Sequence, residues 1–369
     1  MPLKRTFADI PLLLITGALI VFGLVMLASA SAPGGYDKFG DSYYYVKHQV
    51  VFGLIPGLFG MFIMSRIPYA FWKRHAMGLL LASVVLLVLV FIPGFSAGIG
   101  TAHSWVSVGG WFSFQPSEIV KLTFLFYLCA WLAARGEEGM KDLSSGFVTF
   151  ALALGGVMAL LIAEPDIGTM SILAGMAVAV YFAAGAPILY VGGLIGGGIA
   201  ALAALIGLAP YRAARFMTFL NPELDPQGIG YHINQALLAI GSGGLLGLGY
   251  GHSRQKFQYL PEVFGDSIFA VIAEEMGMLA ALGLIAMFLI FLWRVLFIAK
   301  RAPDAFGRYV ALGVGAWIVL QAFVNIGAMV AILPITGVPL PFVSYGGTSL
   351  AIAMSAVGVV LNISKQHVE

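Results

Sequence analysis

Residues 251–277 read GHSRQKFQYLPEVFGDSIFAVIAEEMG. A polar, basic stretch with Arg254 and Lys256 passes through Leu260-Pro261-Glu262 to Asp266, where a long apolar helix is expected to begin. A carboxylate at the junction of a water-facing loop and an apolar helix is shielded enough to act as a base. It is also close enough to water to meet a polar substrate. Glu118 and Lys121 stand three apart, so on a helix they share a face and can pair. Glu164-Pro165-Asp166 separates two apolar runs. Proline removes a backbone donor and clashes with the preceding turn, which favours a corner there. Arg212, Arg215, Arg254 and Lys256 gather in one stretch between apolar runs. Arg suits a phosphate fork and Lys supplies a point charge.

Each of these residues has a structural reading beside the chemical one. Asp is a favoured N-cap, so Asp266 can simply open its helix. Glu118, after Pro116-Ser117, can serve helix-start chemistry, and Glu164 and Asp166 can be solvated turn residues. Glu274 and Glu275, about two turns further along, read as partners for another helix. The four loop cations can meet anionic headgroups. Trp105, Trp111, Tyr43, Tyr44 and Tyr45 flank apolar runs as an aromatic belt does. Below Asp266, Ala270, Ala273, Gly277 and Ala280 recur on nearly one face, which lets a helix or a ligand approach closely. Capping and catalysis at Asp266 do not exclude each other.

The elements that position these residues are membrane helices. Of 369 residues, 60% are hydrophobic and 10% charged, with a mean hydropathy of +0.96, against about 25% charged in a soluble domain. Net charge is +2, so no nucleic-acid footprint exists. A span needs about 20 mainly apolar residues. That criterion predicts ten, near 10–32, 46–65, 75–93, 116–134, 146–163, 167–185, 187–207, 266–293, 309–333 and 345–363. The fold class is therefore all-α and polytopic, one integral domain over 1–369. The first apolar run, Ile10 to Leu27, exceeds the roughly 7–15 residues of a signal-peptide core, so an uncleaved first span is expected.

Ten spans put both termini on one side. With that side cytoplasmic, Lys4, Arg5, Arg66, Lys73, Arg74, Arg135, Lys141, Arg294, Lys300, Arg301, Arg308 and Lys365 all fall inside, as the positive-inside bias expects. Four of the exceptions lie in the one long outer loop, about 208–265, and loops of that length are usually functional. Within it, Tyr231 to Leu248 reads as an interfacial helix or a re-entrant segment. Small-xxx-small spacings such as Gly192 with Gly196 suggest close helix packing. There is no phosphate-binding GxxxxGK[ST] loop, no complete GxGxxG and no HExxH. The single cysteine, Cys129, rules out an intrachain disulfide and a cysteine-built metal site.

Four ordered motifs, QPSEIVKL (115–122), EPDIGT (164–169), LPEVFGDSIFAVIAEEMG (260–277) and PITGVPLPFVSYGGTSL (334–350), resemble the SEDS family of shape, elongation, division and sporulation proteins. The similarity spans essentially the whole chain. Gly40-Asp41 with Tyr43 and Tyr44, and Ser253, Gln255-Lys256 and Tyr259, tilt it toward the FtsW branch. The chain departs from the family at Gly265 and Ser267, where Thr and Phe are usual, and at His103 and Ser104, where basic residues are usual.

The resemblance implies a glycosyltransferase that polymerises lipid II outside the cytoplasmic membrane during cell division. It also implies a class B penicillin-binding protein as cross-linking partner, alongside other division proteins. Asp266 corresponds to the family's essential Asp and is the expected base toward the GlcNAc C4 hydroxyl. Lys121, Arg212 and Arg215 are the expected diphosphate ligands, with Arg254 and Lys256 behind them. Glu118, Glu164, Asp166, Glu262 and Ser344 complete the expected substrate site. No cofactor is required, and a Mg or Mn ion bridging diphosphate to carboxylate stays open. A lipid II flippase and a non-catalytic division scaffold are the alternatives.

Overall fold

The computed structural model describes residues 8–92, 104–108, 112–164, 166–208 and 210–366, without the side chains at 108, 112, 210–212 and 215. His103, Trp111 and Pro165 lie outside the described residues. The chain begins with α1 (Ile10–Phe39). Next come α2 (Tyr44–Gln49) and α3 (Ile55–Arg66), which a wider turn over Val50–Leu54 joins into one span. After α4 (Tyr69–Leu89), a small antiparallel ribbon pairs β1 (Val106–Val108) with β2 (Phe112–Phe114), Ser107 facing Ser113. Then follow α5 (Pro116–Lys141), α6 (Thr149–Ala163), α7 (Ile167–Ala183) and α8 (Ile188–Leu208). The long loop contributes α9 (Pro210–Leu220) and α10 (Ile229–Ser242). The chain closes with α11 (Ile268–Lys300), α12 (Ala305–Met329) and α13 (Gly347–Ser364).

Nine helices among the described residues are long and apolar enough to cross a membrane, and α7 is a shorter apolar helix where a tenth span was expected. Aspartates start several of them. The side chains of Asp9, Asp166 and Asp304 accept from Leu12 N, Thr169 N and Gly307 N at 2.8–2.9 Å, satisfying orphan donors of α1, α7 and α12. The centre of the bundle is α5, α12 and α13, whose most apolar windows are 67%, 61% and 72% buried, against 6% for α8. Asp9 also donates its N–H to Ser364 Oγ at 3.1 Å and pairs with Arg294 Nη2 at 2.7 Å. The starts of the first helix and ends of the last therefore share one face.

Two expectations change. The expected helix within the long loop exists as α10, which buries Ile233, Ala236 and Ala239 and packs on α11. Gly192 and Gly196 have open space where a Cβ would sit, so that spacing packs nothing within this chain. The small stripe of α11 breaks at Gly277, which is non-helical at φ 78° and ψ 177°. Past this break the helix phase shifts, and Ala281, not Ala280, is the buried small residue.

The break has a definite cause. The turn after α10 inserts there: Leu248 N and Gly249 N donate to Glu274 O and Glu275 O at 3.0 and 2.9 Å. In return Met278 N donates to Gly244 O at 2.9 Å. The loop thus takes up the helix's interrupted hydrogen bonds, as buried backbone requires. A Cβ at Gly277 or Gly247 would run into the other strand's backbone, and both residues have positive φ.

Candidate active site

Asp266 sits in a run of turns one residue ahead of the α11 cap position, Ser267, and is 8% exposed. Its main chain is fixed from three sides. Asn325 Nδ2 of α12 donates to Asp266 O at 2.7 Å and to Val338 O at 2.8 Å. Tyr345 N donates to Phe264 O at 2.9 Å. Glu262, at φ 46°, accepts on its carbonyl from Gly265 N at 2.9 Å and Ser267 N at 3.3 Å. The Glu262 side chain is exposed. Ser344 is buried as a staple of the 338–345 segment, its Oγ accepting from Leu340 N at 2.8 Å.

One turn earlier on α12, Gln321 carries the same scaffold to α5. Gln321 Nε2 donates to Pro339 O at 2.9 Å, while its Oε1 accepts from Lys121 Nζ at 3.0 Å and Trp317 Nε1 at 2.8 Å. Lys121 is fully buried, donates to Glu118 Oε1 at 2.8 Å and lies over the Trp317 ring at 4.9 Å. The expected Glu118–Lys121 pair exists, and Glu118 is not a cap. Its Oε2 has no hydrogen-bond partner among the described residues. Gln321 and Asn325, an i, i+4 pair of amides in an apolar helix, were missed from sequence. That spacing is itself the signal that would have found them.

Glu164 and Asp166 behave differently from each other. Asp166 caps α7 and accepts from Gln115 Nε2 at 3.1 Å, tying the α6–α7 corner to the start of α5. Glu164, just past the end of α6, is 2% exposed with both carboxylate oxygens unpartnered among the described residues. Burial, reinforced by the neighbouring Asp166, pushes its carboxyl up to about 8.

The loop cations separate. Lys256 is 6% exposed and bonds Glu275 Oε1 at 2.8 Å, Ser29 Oγ at 3.0 Å and Gly251 O at 2.7 Å. It ties α1, the loop and α11 together, which departs from its expected place at the diphosphate. Glu275 also accepts from Ser29 Oγ and from Gly251 N and Ser253 N, and Glu274 accepts from Ser253 Oγ and Arg254 N. The Arg254 side chain is exposed. The side chains of Arg212 and Arg215, on α9, lie outside the described residues. No group of three His, Cys, Asp or Glu among the described residues could hold a metal ion.

An apolar groove of about 750 Å³ lies between α10, α11 and α12, and its lining on α11 starts at Phe269, three residues past Asp266. Phe269 and Ala273, from the first two turns of α11, line it with Ile240, Ala281, Ala322 and Ile326. His232 of α10, also unanticipated, reaches Ser267 Oγ with Nε2 at 2.6 Å. The arrangement thus combines a buried carboxylate-bearing turn, a rigid amide scaffold behind it and a lipid-compatible groove below.

Comparison with known proteins identifies the family. The sequence profile of the FtsW/RodA/SpoVE group, described as cell cycle proteins, matches residues 10–369. Stage V sporulation protein E of Bacillus subtilis is 40% identical over 368 residues, covering 99% of each chain. A probable peptidoglycan glycosyltransferase FtsW of Trichlorobacter lovleyi is 39% identical over 98% of this chain and 94% of its own. Among solved structures, the rod shape determining protein RodA of Thermus thermophilus superimposes with a TM-score of 0.71 at 26% identity, covering 98% of each chain. A chain of a peptidoglycan synthase complex, solved for its coordination of polymerization and crosslinking, gives 0.80 at 28% identity, again over 98% of each.

Proposed function

The chain belongs to the FtsW/RodA/SpoVE family of cell cycle proteins, and from that premise we propose that it is a peptidoglycan glycosyltransferase polymerising lipid II into glycan strands. The observation that carries the reading is Asp266. It is buried, clamped through its carbonyl by Asn325, and three residues ahead of Phe269, where the lining of an apolar groove of about 750 Å³ starts on α11.

In the proposed reaction the GlcNAc C4 hydroxyl of an acceptor attacks MurNAc C1 of a donor. The new C1–O bond forms as the bond from C1 to the polyprenyl diphosphate breaks, and the electron pair leaves with the diphosphate. Asp266 takes the hydroxyl proton as attack proceeds, and the single displacement inverts C1. The polyprenyl chain runs along the groove below Asp266. The activated diphosphate supplies the driving force, which accords with the lack of a phosphate-binding loop for nucleotides.

Charge growing on the leaving diphosphate needs cations. Arg212, Arg215 and the exposed Arg254 are the proposed ligands. Lys121, expected at the diphosphate, is instead enclosed with Glu118, Gln321 and Trp317, so it and Lys256 are assigned to scaffolding. Glu164, Asp166, Glu262 and Ser344 shape the surrounding wall. The site is proposed to face the outside of the cytoplasmic membrane with both termini inside, and a class B penicillin-binding transpeptidase is the proposed partner, with other division proteins around it.

The deciding measurement is glycan chain growth from lipid II by the protein purified in detergent, where a flippase has no second leaflet to serve. Asp266→Asn is expected to lose roughly 10²–10⁴-fold of the rate while keeping its thermal midpoint. Near-normal polymerisation by a folded Asn variant would sink the assignment of the base.

A further inference from the structure

A short relay beside Asp266 is unused by the chemistry above. Ser267 is fully buried. Its Oγ lies 2.6 Å from His232 Nε2, 2.8 Å from Pro261 O and 3.4 Å from Asp266 Oδ1. A serine hydroxyl has one proton to give, whereas a carbonyl and a carboxylate only accept. When the Ser267 proton turns toward Pro261 O or Asp266, the contact to the ring is satisfied only if Nε2 carries hydrogen.

His232 suits that part. It is 9% exposed, on the face of α10 packed against α11. Burial pushes its pKa down to about 4, so near pH 7 the ring is neutral with one N–H to place.

We propose that His232 is a positioning residue for Asp266 that acts through Ser267. Its Nε2–H pins the serine oxygen and turns the hydroxyl proton toward Pro261 O and the Asp266 carboxylate. The hydroxyl is then a two-position rotor. It donates to Asp266 while that residue is a carboxylate, and swings to Pro261 O when Asp266 has taken the acceptor's proton and needs no donor. The rotor orients Oδ1 while Asp266 is a carboxylate, without itself touching substrate. The inference rests on Asp266 being the base.

The test uses the full-length protein with a penicillin-binding transpeptidase, measuring kcat and KM for lipid II together with thermal midpoints. His232→Met, which keeps bulk but loses the donor, is expected to lower kcat roughly five- to tenfold with KM within about twofold. His232→Gln, which restores an N–H, should recover kcat to within about twofold of wild type. The double variant His232→Met/Ser267→Ala should be no worse than Ser267→Ala alone, because the two residues act as one unit. Ser267→Thr, retaining the hydroxyl, should outperform Ser267→Ala, and this pair decides the matter if His232→Met fails to fold.

Unchanged kcat in His232→Met, no rescue by Gln, or additive losses in the double variant would each overturn the proposal. Asp266→Asn runs beside them as reference. If it is inactive while His232→Met is normal, the relay alone is wrong; if it polymerises normally, the base itself is misassigned.

Discussion

The two ends of the first half of α11 hold carboxylates in opposite ways. Asp266, just ahead of the helix, is fixed through its main chain by Asn325, and its carboxylate meets Ser267 Oγ at a loose 3.4 Å. Glu275, two turns on, is held by the carboxylate itself, which gathers Lys256, Ser29, Gly251 N and Ser253 N within 2.7–3.2 Å. A side chain saturated with short bonds is committed to structure, because any substrate proton would have to displace a partner in a dry site. Asp266 carries a main-chain restraint as well, so its placement does not rest on its carboxylate contacts alone. Burial alone does not separate the two, since both are under 9% exposed.

The contrast predicts a crossed outcome. Removing the Asp266 charge as Asn should slow polymerisation roughly 10²–10⁴-fold, the largest effect, and leave the thermal midpoint where it was. Glu275→Gln or Lys256→Met should do the reverse. Each strands a buried charge, a loss of about 3–5 kcal/mol, read as a lowered thermal midpoint and poorer recovery from detergent. Molecules that remain folded should retain their specific activity. Combining the two substitutions removes both charges and should regain part of that stability. If Glu275→Gln instead inactivates a fully stable protein, the line drawn between the two carboxylates is in the wrong place.

The break at Gly277 separates the regions mechanically and gives the next effect in size. At φ 78°, with the Gly247 amide where a Cβ would sit, Gly277→Ala must shift either the helix or the inserted turn. Positive-φ strain of this kind costs on the order of 1–3 kcal/mol. The expected signature is a lower thermal midpoint and faster amide exchange confined to 243–249 and 274–279, with Asp266 chemistry slowed less than by Asp266→Asn. An Ala variant with unchanged exchange there would mean that the inserted turn does not depend on the glycine.

What was legible in the sequence follows from range. Spans are announced by about 20 contiguous apolar residues, and Glu118–Lys121 by a three-residue spacing on one helix, so both were readable. The helix break was not. Gly277 in an apolar run looks like a packing residue, and only the turn arriving from Gly244–Gly249 makes it a gap. Lys256 misled for the same reason: its partners Ser29 and Glu275 are 227 and 19 residues away, so it read as a loop cation. Gln258 and Glu262 adopt positive φ without being glycine, a conformation no local pattern announces. Gln321 and Asn325 were readable as amides at helical spacing, yet what they hold, Pro339 O, Val338 O and Asp266 O, is visible only once the 334–345 segment is seen crossing α12.

A third kind of carboxylate sharpens the comparison at the small end of the scale. Glu164 is buried like Asp266 and Glu275, but neither of its carboxylate oxygens has a hydrogen-bond partner among the described residues. Its folded pKa of about 8 stands above the ordinary 4.5. The native state therefore holds a proton that the unfolded chain has already released. Between those two values the unfolded state binds fewer protons, so stability falls as pH rises and levels off above about pH 8. Thermal midpoints of the detergent-purified protein should accordingly decline from about pH 5 to pH 8. Glu164→Gln, which keeps the shape and cannot ionise, should flatten that part of the slope and raise the midpoint most at pH 8. A wild-type and Gln pair with parallel profiles would show that Glu164 ionises at its ordinary pKa, and that burial without donors is not what distinguishes it from the other two.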